Sequence, residues 1–305
     1  MTRRSVLLIG GCGYIGSYLY QKLLETGVVV EVCDAGWRGN PACIPVLSRD
    51  YRLLTSSDIA RFDAILWFAG HSSVSQAIKD PYGALDNNCI NLFAFARQIA
   101  PHQIFVYAST ASLYSINPRR ASPEESNTEI APSTELATTL PHTNAYDISK
   151  FAFDYLAQHF LPRAFGLRMG TLAGFSPNLR PELIFHAMNL SARQEGIVHV
   201  TNAQAWRTIL FIDDLWVFVS HVLHCDVKPG VYNLGSLSTR VGELAERIAE
   251  VWGVDIQDHG QTESYSFRLD CRKMKSVCGV ALKGRRLEDE CRSFIRLVEC
   301  EESLR

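Results

Sequence analysis

Apolar positions in the first half of the chain fall into short blocks separated by amphipathic stretches. Residues 6–9 form a compact apolar run. Residues 16–26 place Ile15, Leu19, Leu23 and Leu24 on one face of a helix, the period of an element packed on a sheet. Gly27 ends that helix, and 28–33 predicts a second strand. Further buried-type strands are predicted at 64–68, 104–108 and 166–169. Helical character spans 82–100, and a helix begun near Tyr146 continues through 151–160. Short apolar strands alternating with helices predict a parallel sheet covered on both faces.

The pattern then changes. Residues 115–143 are rich in Pro, Ser, Thr and Glu with little periodicity, which predicts a long loop beside the active site. Beyond 171 the pattern is mixed, with helices at 182–194 and 241–252 and a strand at 207–211. Residues 206–215 read as a strand running into an acidic helix start, so Asp213 and Asp214 are expected to be structural.

Composition narrows the class. The chain has 305 residues, 47% hydrophobic and 20% charged, with a net charge of −2. That balance is ordinary for a globular protein and gives no basic surface for nucleic acid. The apolar runs are too short for a secretory signal or a membrane span. Nine cysteines are scattered without metal-like spacing. They are read as reduced thiols of a cytoplasmic protein, with no metal site expected.

Candidate chemistry begins at Gly10-Gly11-Cys12-Gly13-Tyr14-Ile15-Gly16. Glycines at 10, 13 and 16 lie between a predicted strand and a predicted helix. A tight turn needs their dihedral freedom, and a side chain would hold the backbone away from a pyrophosphate. The helix start then offers free N–H groups to an anion. Asp34, at the end of the second strand, is placed to accept hydrogen bonds from ribose hydroxyls and to repel a 2′-phosphate. The cofactor expected is therefore NAD, although Arg38 could meet a phosphate.

Tyr146-Asp147-Ile148-Ser149-Lys150 puts a phenol and an ammonium at i and i+4 of a helix. The cation favours the phenolate, which suits Tyr146 to acid/base work. In Ser109-Thr110-Ala111-Ser112, small hydroxyl residues follow a strand and could hydrogen-bond the phenol or a substrate oxygen.

With Phe68-Ala69-Gly70-His71, Asp86-Asn87-Asn88, Leu167-Arg168-Met169-Gly170-Thr171, Trp206-Arg207 and Val231-Tyr232-Asn233-Leu234-Gly235, these motifs occur in the order of a known family. The chain resembles the extended short-chain dehydrogenase/reductase superfamily, in its NAD-dependent sugar-nucleotide epimerase/dehydratase branch. The resemblance implies an α/β, Rossmann-type doubly wound parallel sheet with a smaller C-terminal α/β substrate domain. Residues 1–170 would form the NAD-binding domain, with 206–225 returning to it, and 171–305 the substrate domain.

It also implies roles. Thr110, Tyr146 and Lys150 would be catalytic, the last two also holding the cofactor. Gly10, Gly13, Tyr14, Ile15, Gly16, Asp34, Arg38, Asp58, Ile59, Phe68, Ala69, Gly70 and Asn88 would bind NAD, with Asp58 and Ile59 near adenine. Thr110 and the phosphate-seeking Arg180, Arg207 and Arg268 would bind a nucleoside-diphosphate sugar. A homodimer through the helices around 82–100 and 146–160 is expected.

Departures shape the expected reaction. Family dehydratases carry Asp-Glu just after the catalytic Thr; here Ala111 and Ser112 stand there, which disfavours 4,6-dehydration. Ser115 and Thr171 depart from the classical UDP-galactose 4-epimerase pattern. The reaction expected is epimerisation through a transient keto intermediate. A keto-sugar reductase or dehydrogenase, or a non-catalytic NAD-binding regulator, stays open.

Overall fold

The computed structural model describes residues 4–115, 144–262, 264–279, 282 and 284–303. The predicted 115–143 loop lies, apart from Ser115, outside the described residues. The described residues contain eleven strands: β1 Ser5–Ile9, β2 Val29–Cys33, β3 Ala64–Trp67, β4 Ile104–Thr110, β5 Ala164–Met169, β6 Thr171–Ala173, β7 Ile197–Val200, β8 Trp206–Phe211, β9 Gly230–Leu234, β10 Leu237–Arg240 and β11 Asp255–Asp258.

Six of them form one all-parallel sheet in the order β2-β1-β3-β4-β5-β9. Alternate residues of β1 serve opposite faces. Val6 and Leu8 pack with Leu19, Leu23, Phe218 and Val222; Leu7 and Ile9 pack with Phe105, Trp67 and Phe153. Both faces being covered explains why these strands read as continuous apolar runs. The chain leaves β1 to one side for β2 and returns on the other side for β3. That reversal opens a crevice at the C-terminal ends of β1 and β3.

β9 lies at one edge of this sheet, in register with β5 through Arg168↔Asn233. The helix Ile212–His224 also packs on the first core through Phe218, Val219 and Leu223. Asp213 and Asp214 both bind Arg285, and Asp214 accepts from Ser236 Oγ at 2.6 Å. These acids therefore hold tertiary structure together.

A second core gathers Phe185, Met188, Ile209, Phe211, Leu244, Ile248 and Phe294. It joins the helices Ile184–Gln194, Val241–Trp252 and Leu287–Ser303 to the small sheet β10-β8-β6. A two-stranded pair, β11-β7, stands beside it.

The helix expected over 82–100 is broken. Pro81–Leu85 is followed by a π-helical turn, Asp86–Ile90, and then by Asn91–Ala96. Such insertions often sit at functional sites, and Asp86, Asn87 and Asn91 line the cavity described below. No helix among the described residues is long and apolar enough to cross a membrane.

Candidate active site

A cavity of about 990 Å³ occupies the crevice between β1 and β3. Its wall includes Gly10, Gly13, Tyr14, Ile15, Gly16, Asp34, Arg38, Phe68, Ala69, Gly70 and Arg180. Gly10 has φ +84°, and a Cβ there would stand 2.6 Å from Ala69 N. A Cβ on Gly16 would stand 2.0 Å from Gly10 O. Strand, loop and helix can approach this closely only with glycine. At Gly13 a Cβ would meet only Gly10 O, at 3.5 Å.

Gly13 is the N-cap of the helix Tyr14–Glu25, with no capping side chain and no acidic residue in the first turn. The open position and the uncapped positive helix end fit a pyrophosphate. Asp34 accepts from Cys12 N–H at 2.8 Å and Gly36 N–H at 2.7 Å, one on each oxygen. Each oxygen keeps a lone pair for a ribose hydroxyl. These residues fit NAD. Cys12 is buried, and burial first, then Asp34, pushes its thiol up to about 11, so it is a packing residue.

Asp58 and Ile59 do not line the cavity. Asp58 forms a reciprocal capping box with Thr55, and Ile59 is fully buried in the core. Asp50, Tyr51 and Arg52 line the wall instead. No spacing rule points to them: they follow an irregular return from β2. Trp37 and Glu182 are further wall residues absent from the sequence reading.

Behind the wall, Asn88 donates to His71 O at 3.1 Å and Ser149 Oγ at 3.3 Å, while its Oδ1 is buried without a partner. This ties the loop after β3 to the helix Ala145–Phe160. That helix starts at the Asn144 N-cap and presents Tyr146 and Lys150 to the end of β4. Lys150 Nζ donates to Ala108 O at 3.0 Å and stands 5.9 Å from the Tyr146 ring centroid.

Burial pushes the Tyr146 phenol up to about 12, while Thr110 and, to a smaller extent, Arg180 draw it down. Burial pulls Lys150 down to about 8, opposed by Asp154. Thr110, Tyr146 and Lys150 are thus together but are not on the wall of the cavity.

The three arginines separate. Arg180 lies on the cavity wall, bound to Glu182 at 2.8 Å. Arg207 and Arg268 lie together on and beside β8. Arg207 donates to Tyr265 O, and to Ser264 Oγ at 2.6 Å. Arg268 stacks over Trp206 at 4.3 Å. Arg207 is 9% exposed, and burial pulls it down to about 10. Among the described residues it meets no carboxylate. A buried cation with no carboxylate beside it among the described residues suits an anionic ligand. The 264–269 segment reaches the end of β4, where Phe267 and Leu269 pack on Ala111 and Tyr114. Among the described residues, no group of three His, Cys, Asp or Glu is placed to hold a metal.

A model of the NAD dependent epimerase/dehydratase family matches residues 6–235. The UDP-glucose 4-epimerase of Halalkalibacterium halodurans is 30% identical over 190 residues, 58% of this chain and 53% of that protein. That of Corynebacterium glutamicum is 28% identical over 286 residues, 81% of this chain and 80% of that protein. Apart from the latter, the chain spans about half the length of the curated relatives it first matches. The solved structure of the Thermotoga maritima UDP-glucose 4-epimerase with UDP-glucose aligns with a TM-score of 0.79 at 19% identity, covering 99% of this chain and 100% of that one. At that identity the likeness is one of fold.

Proposed function

The chain belongs to the NAD-dependent epimerase/dehydratase family, and its cofactor is NAD; from that premise we propose that it epimerises a nucleoside-diphosphate sugar through a transient keto intermediate. The reading is carried by Tyr146, Thr110 and Lys150 meeting at the end of β4, next to a crevice whose glycine loop suits a dinucleotide. When bound, NAD supplies the reversible two-electron oxidation of a sugar carbon. Tyr146 takes the proton from the hydroxyl at that carbon and later returns it. Lys150 helps hold the nicotinamide ribose and adds positive charge beside the phenol. Thr110 positions the phenol and the sugar oxygen. Asp34 selects the cofactor without a 2′-phosphate.

Arg207, with Arg268 beside it, is proposed to grip the diphosphate, and Arg180 to reach it from the cavity side. The burial of Arg207 with no carboxylate beside it among the described residues supports this assignment. The expected return of 206–225 is corrected in part: β8 sits in the small sheet, while the helix Ile212–His224 packs on the first core and β9 completes the central sheet; we therefore assign residues 1–170, Ile212–His224 and β9 to NAD binding and the remainder to the substrate. Exposed Tyr82, Ile148, Tyr155 and Phe160 support a homodimer through the two helical segments that carry them.

The test is an assay against a sugar-nucleotide panel that includes UDP-glucose, with NADH followed by absorbance. An epimerase interconverts isomers with no net change in NADH. Oxidation of one NADH per product makes the protein a keto-sugar reductase instead. Full turnover by Tyr146→Phe would remove Tyr146 from the mechanism.

A further inference from the structure

The loop that follows β2 crosses the crevice. β2 and β3 flank β1 in the sheet, so a loop that starts after β2 and touches the residues after β3 spans the space above β1. Residues 35–39 do this. All five are exposed, Trp37 with 70% of its surface in solvent. The far side holds the loop at three points. The Trp37 ring meets His71 edge-on, with 6.2 Å between centroids. An Arg38 guanidinium nitrogen lies 3.5 Å from Ser72 Oγ. The Arg38 carbonyl accepts from Asn178 Nδ2 at 3.1 Å. Gly39 N–H donates to Gly36 O at 3.0 Å, so 36–39 is one tight turn. Its two glycines have φ of +78° and +74°, and a Cβ on either would meet nothing within 4 Å. Rotation at these permissive ends swings the turn as a body.

Asn178 stands on a firm post. It lies in the segment 174–183, between β6 and the helix Ile184–Gln194, where Pro177 and Pro181 each fix a backbone angle. One imidazole closes the segment on itself: the fully buried His186 accepts from Gly174 N–H at 3.0 Å and donates to Arg180 O at 2.8 Å. Ser176 Oγ donates to Tyr14 O at 2.6 Å, and Tyr14 Oη donates to Gly174 O at 2.7 Å. These bonds pin the segment to the start of the first helix. The Asn178 amide has two hydrogens and spends both on carbonyls, Cys12 O at 2.7 Å and Arg38 O at 3.1 Å. The two oxygens are therefore less than about 6 Å apart. A ring or a phosphate cannot pass between them, because non-bonded heavy atoms keep roughly 3.5–4 Å from each other on either side.

We propose that residues 36–39 form a flap over the cofactor crevice, swinging on Gly36 and Gly39 and latched shut by the Asn178 amide. This rests on reading the crevice as the NAD site. The bond to Cys12 O ties the post to the glycine loop, so only the bond to Arg38 O has to break for the flap to open, together with the lighter contacts at His71 and Ser72. A neutral hydrogen bond is weak enough to break at each passage and strong enough to favour the closed flap several-fold. A latch that closes equally well with and without cofactor governs the rates of exchange and leaves affinity alone.

That signature is the test. Stopped-flow mixing of NADH with protein freed of nucleotide gives the association rate, and chasing bound NADH with excess NAD gives the dissociation rate. Asn178→Ala removes the latch and should raise both rates together, each about three- to tenfold, the worth of one neutral hydrogen bond, with Kd kept within about twofold. Trp37→Ala takes away the contact with His71 and should move both rates the same way, which keeps the test open if Asn178→Ala does not fold. Faster dissociation with association unchanged would make Asn178 a contact to the cofactor. Wild-type rates with only Tm lowered would make it structural. Either result overturns the proposal. Gly13→Ala separates the site from the flap. If that variant keeps its NADH affinity, the cofactor binds elsewhere and both readings fall. If it loses affinity while Asn178→Ala and Trp37→Ala leave the rates in place, the flap alone falls.

Discussion

Lys150→Met should make this protein more stable near neutral pH while abolishing turnover. Lys150 is 5% exposed, and burial brings it from its ordinary 10.5 to about 8. At about 1.4 kcal/mol per pH unit, keeping the ammonium charged inside the fold at pH 7 costs roughly 3 kcal/mol. Methionine fills a similar volume without charge but gives up the hydrogen bond to Ala108 O, a loss of about 1–2 kcal/mol. Asp154 is not left alone, because Arg168 Nε and Ser109 Oγ still bind it at 2.7 and 2.9 Å. The net gain of about 1–2 kcal/mol corresponds to a Tm rise of roughly 2–6 °C. The sign depends on pH. A lysine with a lowered folded value destabilises fully below about 8, and the penalty disappears as pH rises toward its unfolded value. The variant's advantage should therefore shrink between pH 8 and 10 and vanish near 10. Melting curves across that range, on protein freed of bound nucleotide so that ligand stabilisation does not intrude, decide the matter. A variant less stable than wild type at pH 7, or a difference independent of pH, would show that the fold welcomes this charge and would refute the reasoning.

Gly13 and Gly16 should separate binding from folding. Gly13→Ala meets ordinary contact only and should keep its Tm while losing NAD affinity by calorimetry; Gly16→Ala drives a Cβ into Gly10 O and should cost about 2–4 kcal/mol of stability. Arg207→Met should raise KM for UDP-glucose at least tenfold with a smaller change in kcat, the mark of lost ground-state binding, and should leave Tm within a few degrees because no carboxylate among the described residues is orphaned. His186 accepts from Gly174 N–H and donates to Arg180 O, and burial holds it down to about 4. Its contribution is complete above about 6.5 and is lost as pH falls toward 4, roughly 3 kcal/mol in all. Melting from pH 7 to 4.5 should therefore fall more steeply for wild type than for His186→Gln, and parallel curves would contradict this.

What could be read from the chain, and what could not, divides by the range of the forces involved. The β1-loop-helix unit was legible because its demands are local. Gly16 answers a steric problem set within seven residues, by Gly10 O, whereas Gly10 also makes room for Ala69 from the next strand; Asp34 follows from the length of one helix and one strand. That Tyr146 and Lys150 share one helix face was legible through helical period; their role came from the resemblance. Asp58 shows the limit of reading by position: its carboxylate closes a capping box on Thr55, a short-range use that a motif cannot distinguish from contact with a nucleotide. The π-turn at Asp86–Ile90 carries no periodic signature, since one inserted residue leaves the apolar pattern on either side intact. Long-range pairing hides more. β9 joins the central sheet sixty residues after β5 through a register visible only once Arg168 and Asn233 lie side by side. Arg207 read as a phosphate ligand from its surroundings in sequence, yet its character as a buried cation comes from Ser264 and Tyr265, far along the chain. The same holds at the proposed catalytic tyrosine. Tyr146, Thr110 and Lys150 could be named one by one, but the contact between Ser112, two residues after Thr110, and Asp147, next to Tyr146, exists only in the fold. Ala111 and Ser112 read as the loss of an acid after Thr110. Folding returns a carboxylate to Ser112 from the first turn of a helix that begins about thirty residues later, so the groups gathered at this site have to be argued from the fold as well as from the residue types beside Thr110.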